Sequence, residues 1–322
     1  MKILIVTPES PGSTLGNAIT ANRWAGILRR LGHDATLATE WISDAFGKAD
    51  LLVALHARRS YLSIEGFRRA HPKRPLIVAL TGTDLYRDLP AGNLDAQRSL
   101  QLATRIIALQ EAAGEGLPET IRPKLRIMYQ SAVAPANPRP AREDCFEVCV
   151  LSHLRDVKDP LTPAQAARLL PSTSRLRVVH AGRALSPEWE TKARGEERVN
   201  PRYLWLGDQS HEQAIQLLSG SHGLILPSLM EGGASVIAEA VVCGVPVLCS
   251  KIAGNIGMLG AGYEGYFPVR DAAGLAGKLR LVANEPGFRE RLRGHILGLQ
   301  SRFAPDTERT AWASLLTALQ VQ

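Results

Sequence analysis

Residues 223–250 read as strand, loop, helix and strand in one stretch, and that alone confines the chain to few folds. Gly223-Leu-Ile-Leu-Pro-Ser228 is a short apolar run closed by a proline turn, the pattern of a strand buried on both faces. Ala234 to Cys243 is helix-forming and stops at Gly244, and Gly244-Val-Pro-Val-Leu-Cys-Ser250 is the next apolar run. Two such strands joined through a helix lie parallel. The loop between strand and helix carries Glu231 and Gly232-Gly233, and Glu239 follows eight residues after the first glutamate. Open parallel sheets bind ligands at this carboxyl end, where free backbone N–H groups face an anion or a hydroxyl.

The same alternation runs through the whole chain. Residues 2–7 read as a strand, residues 12–16 as a glycine loop, and Asn17 as the cap of a helix running to Gly32. Further strands are expected at 33–39, 49–56, 75–81, 105–109 and 125–130. After Pro135, Pro138 and Pro140, a proline-rich connection, the pattern restarts at 146–152, 175–181, 203–206, 223–227 and 245–250. Helices are expected near 271–283, 286–300 and 307–320. This period implies an α/β protein with parallel sheets covered by helices on both faces.

At 322 residues the chain has room for two domains of ordinary size. Apolar residues make up 45% of it, but no apolar run approaches the ~20 residues that span a bilayer. Met1-Lys-Ile-Leu-Ile-Val-Thr7 is too short for the core of a signal peptide. Cys145, Cys149, Cys243 and Cys249 form no Cys-x-x-Cys pair and read as free thiols, so a cytoplasmic location is expected. The net charge of +7 lies wholly in residues 1–142, which carry 19 Lys and Arg against 12 Asp and Glu. That excess suits a small anionic substrate or an anionic membrane surface, with an ordinary solvated face as the plain alternative. Nucleic acid is disfavoured, because no aromatic residues interleave Arg58-Arg59 or Arg68-Arg69 as stacking platforms.

Glu231-Gly-Gly-Ala-Ser-Val-Ile-Ala-Glu239, with the Pro-Ser before it and the Gly-Val-Pro-Val strand after it, resembles the E-x7-E motif of retaining, family-4-like GT-B glycosyltransferases. The resemblance implies two Rossmann-like doubly wound domains facing across a cleft. Residues 1–142 would form the acceptor side and 143–306 the nucleotide-sugar donor side, with a helix over 307–322 crossing back to the first domain. It implies that Glu231, Gly232, Gly233, Ala234 and Ser235 hold the donor sugar and that Glu239 takes the ribose hydroxyls. Gly207, in Leu206-Gly207-Asp208, falls where the family rests the base. The donor is a UDP-sugar by resemblance alone, and no further cofactor is implied.

In Ser152-His153-Leu154-Arg155-Asp156-Val157-Lys158, Lys158 matches the family's diphosphate-binding lysine. His153 stands where the family has arginine, and Arg155 lies two places on. Either could supply the second ligand of the diphosphate; Arg155 is favoured because a planar, permanently charged fork suits phosphate oxygens. These cations would stabilise the charge on the departing diphosphate, one well-placed cation being worth roughly 3 kcal/mol by analogy with oxyanion donors, and Arg155, Lys158 and Glu231 are the expected catalytic residues. No Asp-x-Asp pair is present to hold a metal, so no metal is expected.

In the first half, Pro11-Gly-Ser-Thr-Leu-Gly16-Asn17 resembles the family's glycine-rich loop near phosphate and acceptor, without a P-loop's Lys-Ser/Thr end. Arg23 either reaches an anionic acceptor or lies on the helix surface. Thr83 and Asp84 end a strand, and Asp84 either orients a hydroxyl or caps the following turn. Together with Leu80-Thr-Gly-Thr-Asp-Leu-Tyr86 and Gly254-Asn-Ile-Gly-Met-Leu-Gly260, the 151–160 segment resembles one bacterial subgroup, the selenosugar synthases of selenoneine biosynthesis. That resemblance implies transfer of a hexose from UDP-N-acetylglucosamine or UDP-glucose to selenophosphate, with release of UDP and phosphate. A peripheral membrane glycosyltransferase acting on a lipid or other small-molecule acceptor, and a non-catalytic nucleotide-sugar or nucleic-acid binding module, are the alternatives. The acceptor, the donor sugar and the oligomeric state are not legible in the sequence.

Overall fold

The computed structural model describes residues 1–10, 12, 13 and 15–320. It divides into two compact units. The first comprises Met1–Gln130 with Glu231–Gly233 and Pro305–Gln322; the second comprises Ser131–Met230 with Ala234–Ala304.

The first unit is built on six strands: β1 (Lys2–Val6), β2 (Asp34–Ala38), β3 (Leu51–Leu55), β4 (Leu76–Ala79), β5 (Arg105–Ala108) and β6 (Leu125–Ile127). They lie in the order β2-β1-β3-β4-β5-β6, and every pairing is parallel. Successive side chains on a strand face opposite ways, so each apolar strand feeds two cores. Ile3, Ile5, Leu51, Val53, Leu55 and Ile77 pack with Trp24, Leu28 and Trp312 on one face. Leu4, Val6, Leu52, Ala54, Val78 and Ile106 pack with Ile64, Phe67 and Leu100 on the other. The order of strands reverses between β1 and β3, which makes their carboxyl ends the natural crevice of this sheet.

The first helix spans Gly16–Arg30 and begins one residue before Asn17. Leu15 occupies the cap position and no side chain caps the helix, so Asn17 lies in its first turn rather than capping it. The last helix, Pro305–Gln320, belongs to the first unit. The Trp24 indole donates to the buried Glu308 at 3.0 Å and meets Trp312 edge to face at 5.1 Å. An indole buried against a carboxylate satisfies both polar groups while contributing a large apolar area.

The basic pairs of this unit are tied internally. Arg58 donates to Asp88 at 2.7 Å and Arg59 pairs with Glu9. Arg68 donates to the carbonyls of Leu102 and Arg74, and Arg74 to those of Gly47 and Ala49. Much of the excess charge therefore serves the fold. Among the described residues, no helix is long and apolar enough to cross a membrane.

The second unit holds β7 (Phe146–Leu151), β8 (Leu176–Ala181), β9 (Tyr203–Gly207), β10 (Gly223–Leu226), β11 (Val247–Ser250) and β12 (Tyr266–Phe267). Their order is β12-β11-β10-β7-β8-β9, again parallel throughout. The sequence extends outward in both directions from β7, so the switch point lies between β7 and β10. The proline-rich stretch is not a free linker: Arg139 pairs with the buried Glu147 and its N–H donates to Ser219, fastening residues 131–142 to this unit.

Candidate functional site

The loops leaving β7 and β10 flank the switch point of the second unit, and hydrogen bonds fix their paths. Ser152 donates its N–H to Ala181, and Leu154 bridges to the segment after β8 through Arg183 at 2.9 Å and Leu185 at 3.1 Å. Gly182 makes this approach possible. Its φ is +152°, and a methyl group there would lie 1.9 Å from the Ser152 carbonyl oxygen, so no other residue fits. Beneath lies His180, fully buried, with Nε2 3.0 Å from that same carbonyl and Nδ1 3.0 Å from the Tyr203 hydroxyl. A carbonyl only accepts, so the proton sits on Nε2 and the Tyr203 hydroxyl donates to Nδ1. Burial pushes the pKa of His180 down to about 4, which keeps the ring neutral.

The same logic separates His153 from Arg155. The Arg183 N–H donates to His153 Nδ1 at 3.1 Å, and burial lowers the ring's pKa below its ordinary value against the opposing pull of Asp208. His153 is thus a neutral ring with its N–H at Nε2, while Arg155 is exposed and permanently charged. Between Arg155 and Lys158 the chain makes a short 3₁₀ turn, Asp156–Lys158. It ends at Asp159, whose φ of +45° is left-handed and whose carboxylate accepts from the Thr162 hydroxyl. Lys158 is half-buried. The turn is joined to the loop after β10: the Leu229 N–H donates to the Val157 carbonyl at 2.9 Å.

That second loop is braced from β11 and the helix after it. The Ser250 hydroxyl donates to the Ser228 carbonyl, and Asn255 Nδ2 donates to the Ser250 carbonyl at 2.9 Å. The glycine-rich segment after β11 is a helix, Ala253–Leu259. Helix Ser235–Cys243 starts after Ala234 with no side-chain cap and no acidic residue in its first turn, and it stops at Gly244, whose φ is +67°. An uncapped helix N-terminus aims unpaired N–H groups and a positive dipole end outward, which suits an anion. Glu239, one turn along, is 14% exposed and lies 3.9 Å from His211. Gly207 closes β9 at φ +72°, a left-handed backbone that favours glycine.

The remaining sequence-derived residues lie in the first unit. Glu231 is nearly buried. A methyl group on Gly232 would come 2.5 Å from the Gly82 nitrogen, and one on Gly233 would come 2.3 Å from the Leu109 Cβ. Close packing therefore demands this glycine pair, apart from any service its N–H groups give a ligand. Asp84 is fully buried, and its carboxylate accepts from the N–H groups of Ala57, Thr81 and Leu85 and from the Thr81 hydroxyl. So enclosed, it organises the loop. Thr83 sits beside His56, with Oγ1 2.9 Å from Nε2. His56, which the sequence did not single out, is buried at the switch-point end of β3 with a left-handed φ of +73°, and burial lowers its pKa despite the nearby Asp84. Gly16 and Asn17 form the uncapped start of the first helix, with Arg23 half-buried two turns on. Pro11 and Thr14 lie outside the described residues. Among the described residues, no group of three or more His, Cys, Asp or Glu is placed to hold a metal ion.

Residues 136–295 match the family model described as Glycosyl transferases group 1. Glycogen synthase of Mycobacterium tuberculosis is 27% identical over 187 residues, covering 58% of this chain and 45% of that protein. The chain thus spans about half the length of the curated relatives it matches. Among solved structures, Anabaena HepE in complex with UDP-glucose superposes with a TM-score of 0.79 at 16% identity, over 99% of this chain and all of that one. Sucrose-phosphate synthase of Thermosynechococcus elongatus gives 0.75 at 15% identity, over 99% of each. The match to glycosyl transferases group 1 thus lies in residues 136–295, and the chain's two six-stranded parallel sheets are those of the GT-B fold.

Proposed function

We propose that this protein is a retaining UDP-sugar glycosyltransferase that moves a hexose, from UDP-glucose or UDP-N-acetylglucosamine, to a small anionic acceptor. The observation that carries the reading is the turn at the β7–β10 switch point. It sets Arg155 and Lys158 on either side of two residues, next to a neutral His153 that can donate from Nε2. Two cations there neutralise the diphosphate and stabilise the charge that builds on it as the sugar leaves. Ala234 and Ser235 add the uncapped helix N-terminus, Gly207 passes beside the base, and Glu239 accepts from the ribose hydroxyls. Glu231, Gly232 and Gly233 take the sugar, as the motif spacing implies. The reaction needs no resident cofactor or metal in this account, and the protein works in the cytoplasm.

The acceptor we favour is selenophosphate. Its selenium displaces UDP at the anomeric carbon, forming the C–Se bond as the C–O bond breaks, and water then cleaves Se–P to release phosphate. Supporting this choice are the uncapped helix start at Gly16 and Asn17, free of acidic residues in its first turn, and the half-buried Arg23 on the same helix. Thr83 supplies a hydroxyl for hydrogen bonding. Mass spectrometry of incubations with a panel of UDP-sugars, with and without selenophosphate, tests the proposal. A selenosugar formed only with both substrates supports it. UDP release without a selenium product rejects the acceptor while retaining the donor.

A further inference from the structure

Trp189 stands on a helix, Pro187–Val199, whose sequence is otherwise dominated by charge, and it looks like an ordinary surface residue. Its indole Nε1 donates to Asp156 Oδ1 at 3.1 Å. Asp156 is the first residue of the turn between Arg155 and Lys158, so this bond reaches the stretch of chain that carries both cations. The ring is itself restrained. Its own N–H is held by the helix-capping Ser186, and the Lys192 ammonium lies 4.7 Å above its centroid.

We infer that Trp189 is a positioning residue that aims Arg155 and Lys158 at the donor's diphosphate, acting through Asp156. The inference rests on the donor site proposed above. Three observations carry it. The turn ends in a left-handed non-glycine residue, Asp159, a conformation that persists only where the surroundings hold it. One hold is the Val157 carbonyl, which accepts from Leu229 on the inner side. Others are the Thr162 hydroxyl, which donates to the Asp159 carboxylate, and the indole bond to Asp156 at the exposed end. Asp156 also puts an exposed carboxylate between two cations, and the indole engages one of its oxygens. Without that bond the turn keeps its inner tether and loses its outer one, and the aspartate becomes free to fold back on Arg155 and Lys158.

The test is calorimetric titration of the full chain with UDP and, separately, with uridine. The variants are Trp189→Phe, Asp156→Asn, the double variant and Lys158→Ala. A residue that only supports the fold would weaken both ligands together or lower the melting temperature; one that aims the cations weakens UDP alone. The expected result for Trp189→Phe is about a fivefold loss of UDP affinity, the size of one ordinary hydrogen bond, because the indole acts on the diphosphate only through Asp156. Uridine affinity and melting temperature stay native, and the double variant is no worse than the worse single one, because the two act through one bond. Native UDP affinity in Trp189→Phe, equal weakening of both ligands, or additive losses would each overturn the inference. Lys158→Ala separates the two levels. If it weakens UDP while Trp189→Phe does not, the positioning role fails alone; if Lys158→Ala also binds UDP normally, the donor site itself is misplaced.

Discussion

The backbone N–H of Leu229 donates to the carbonyl of Val157 across 2.9 Å, joining the loops that leave β10 and β7. Val157 lies between Asp156 and Lys158, and Leu229 lies two residues before Glu231 in the chain. Arg155 and Lys158, the proposed diphosphate ligands, and the entry to the glutamate loop are therefore not independent: displacing one loop displaces the other's anchor.

Glu239 and Lys158 should be separable by ligand. Glu239 is assigned to the ribose, which UDP and uridine share, and Lys158 to the phosphates, which only UDP has. Glu239→Ala should weaken both ligands to a similar degree, whereas Lys158→Ala should weaken UDP by roughly tenfold or more and leave uridine unchanged. Titration calorimetry of the two variants checks this, and the opposite pattern would exchange the assignments.

His153 gives the donor site a pH response. Its ring is neutral at pH 7 because burial depresses its pKa below the ordinary value. As pH falls through that depressed pKa, the ring gains a positive charge beside the proposed diphosphate. Relative to a His153→Gln variant, native UDP affinity should be flat between about pH 7 and 8 and rise below the ordinary histidine range near 6.5. Parallel titrations of the two proteins read the difference, and identical pH profiles would remove His153 from the site.

His180 should make the second unit acid-sensitive. Its folded pKa is depressed to about 4 against 6.5 in an unfolded chain, so the unfolded state binds the extra proton first. The associated stability is fully present above pH 6.5 and is lost as pH falls toward 4, amounting to about 3 kcal/mol. Urea denaturation at pH 7 and pH 4.5 should show a smaller loss for His180→Gln than for the native protein, although the variant starts less stable. Equal losses would mean that other groups set the acid limit.

The Trp24–Trp312 pair should be the strongest point of the first unit's C-terminal helix. Both rings are fully buried, so Trp312→Ala should cost about 3 to 5 kcal/mol through lost contacts and the cavity left behind. Glu308→Leu should also destabilise, because it leaves the buried Trp24 N–H unpaired. Thermal unfolding reads both effects.

Much of the architecture is legible in the sequence, because a strand buried on both faces leaves an unbroken apolar run. Leu51-Leu-Val-Ala-Leu55 is such a run, and Gly244 ends its helix in the left-handed conformation that glycine favours. Strand β12 escaped notice because two residues make no pattern. Asn17 resembled a cap by residue type, but the helix starts a residue earlier. The tautomer of His153 depends on a bond from the Arg183 backbone, 30 residues away, which no local pattern encodes. Asp84 was ambiguous for the same reason: only the fold shows three N–H groups and a hydroxyl converging on it. Gly182 carried a faint signal, a glycine just past a strand, but its cause is the Ser152 carbonyl of another strand's loop.

The most direct test of the account is release of UDP from UDP-glucose and UDP-N-acetylglucosamine, followed by mass spectrometry for native protein, Lys158→Ala and Arg155→Ala. The native chain should release UDP in the presence of an anionic acceptor, with a fall of about a hundredfold in each variant, the size expected when one charge-stabilising donor is lost. Native protein that releases no UDP from either donor, or variants that turn over at the native rate, would contradict it.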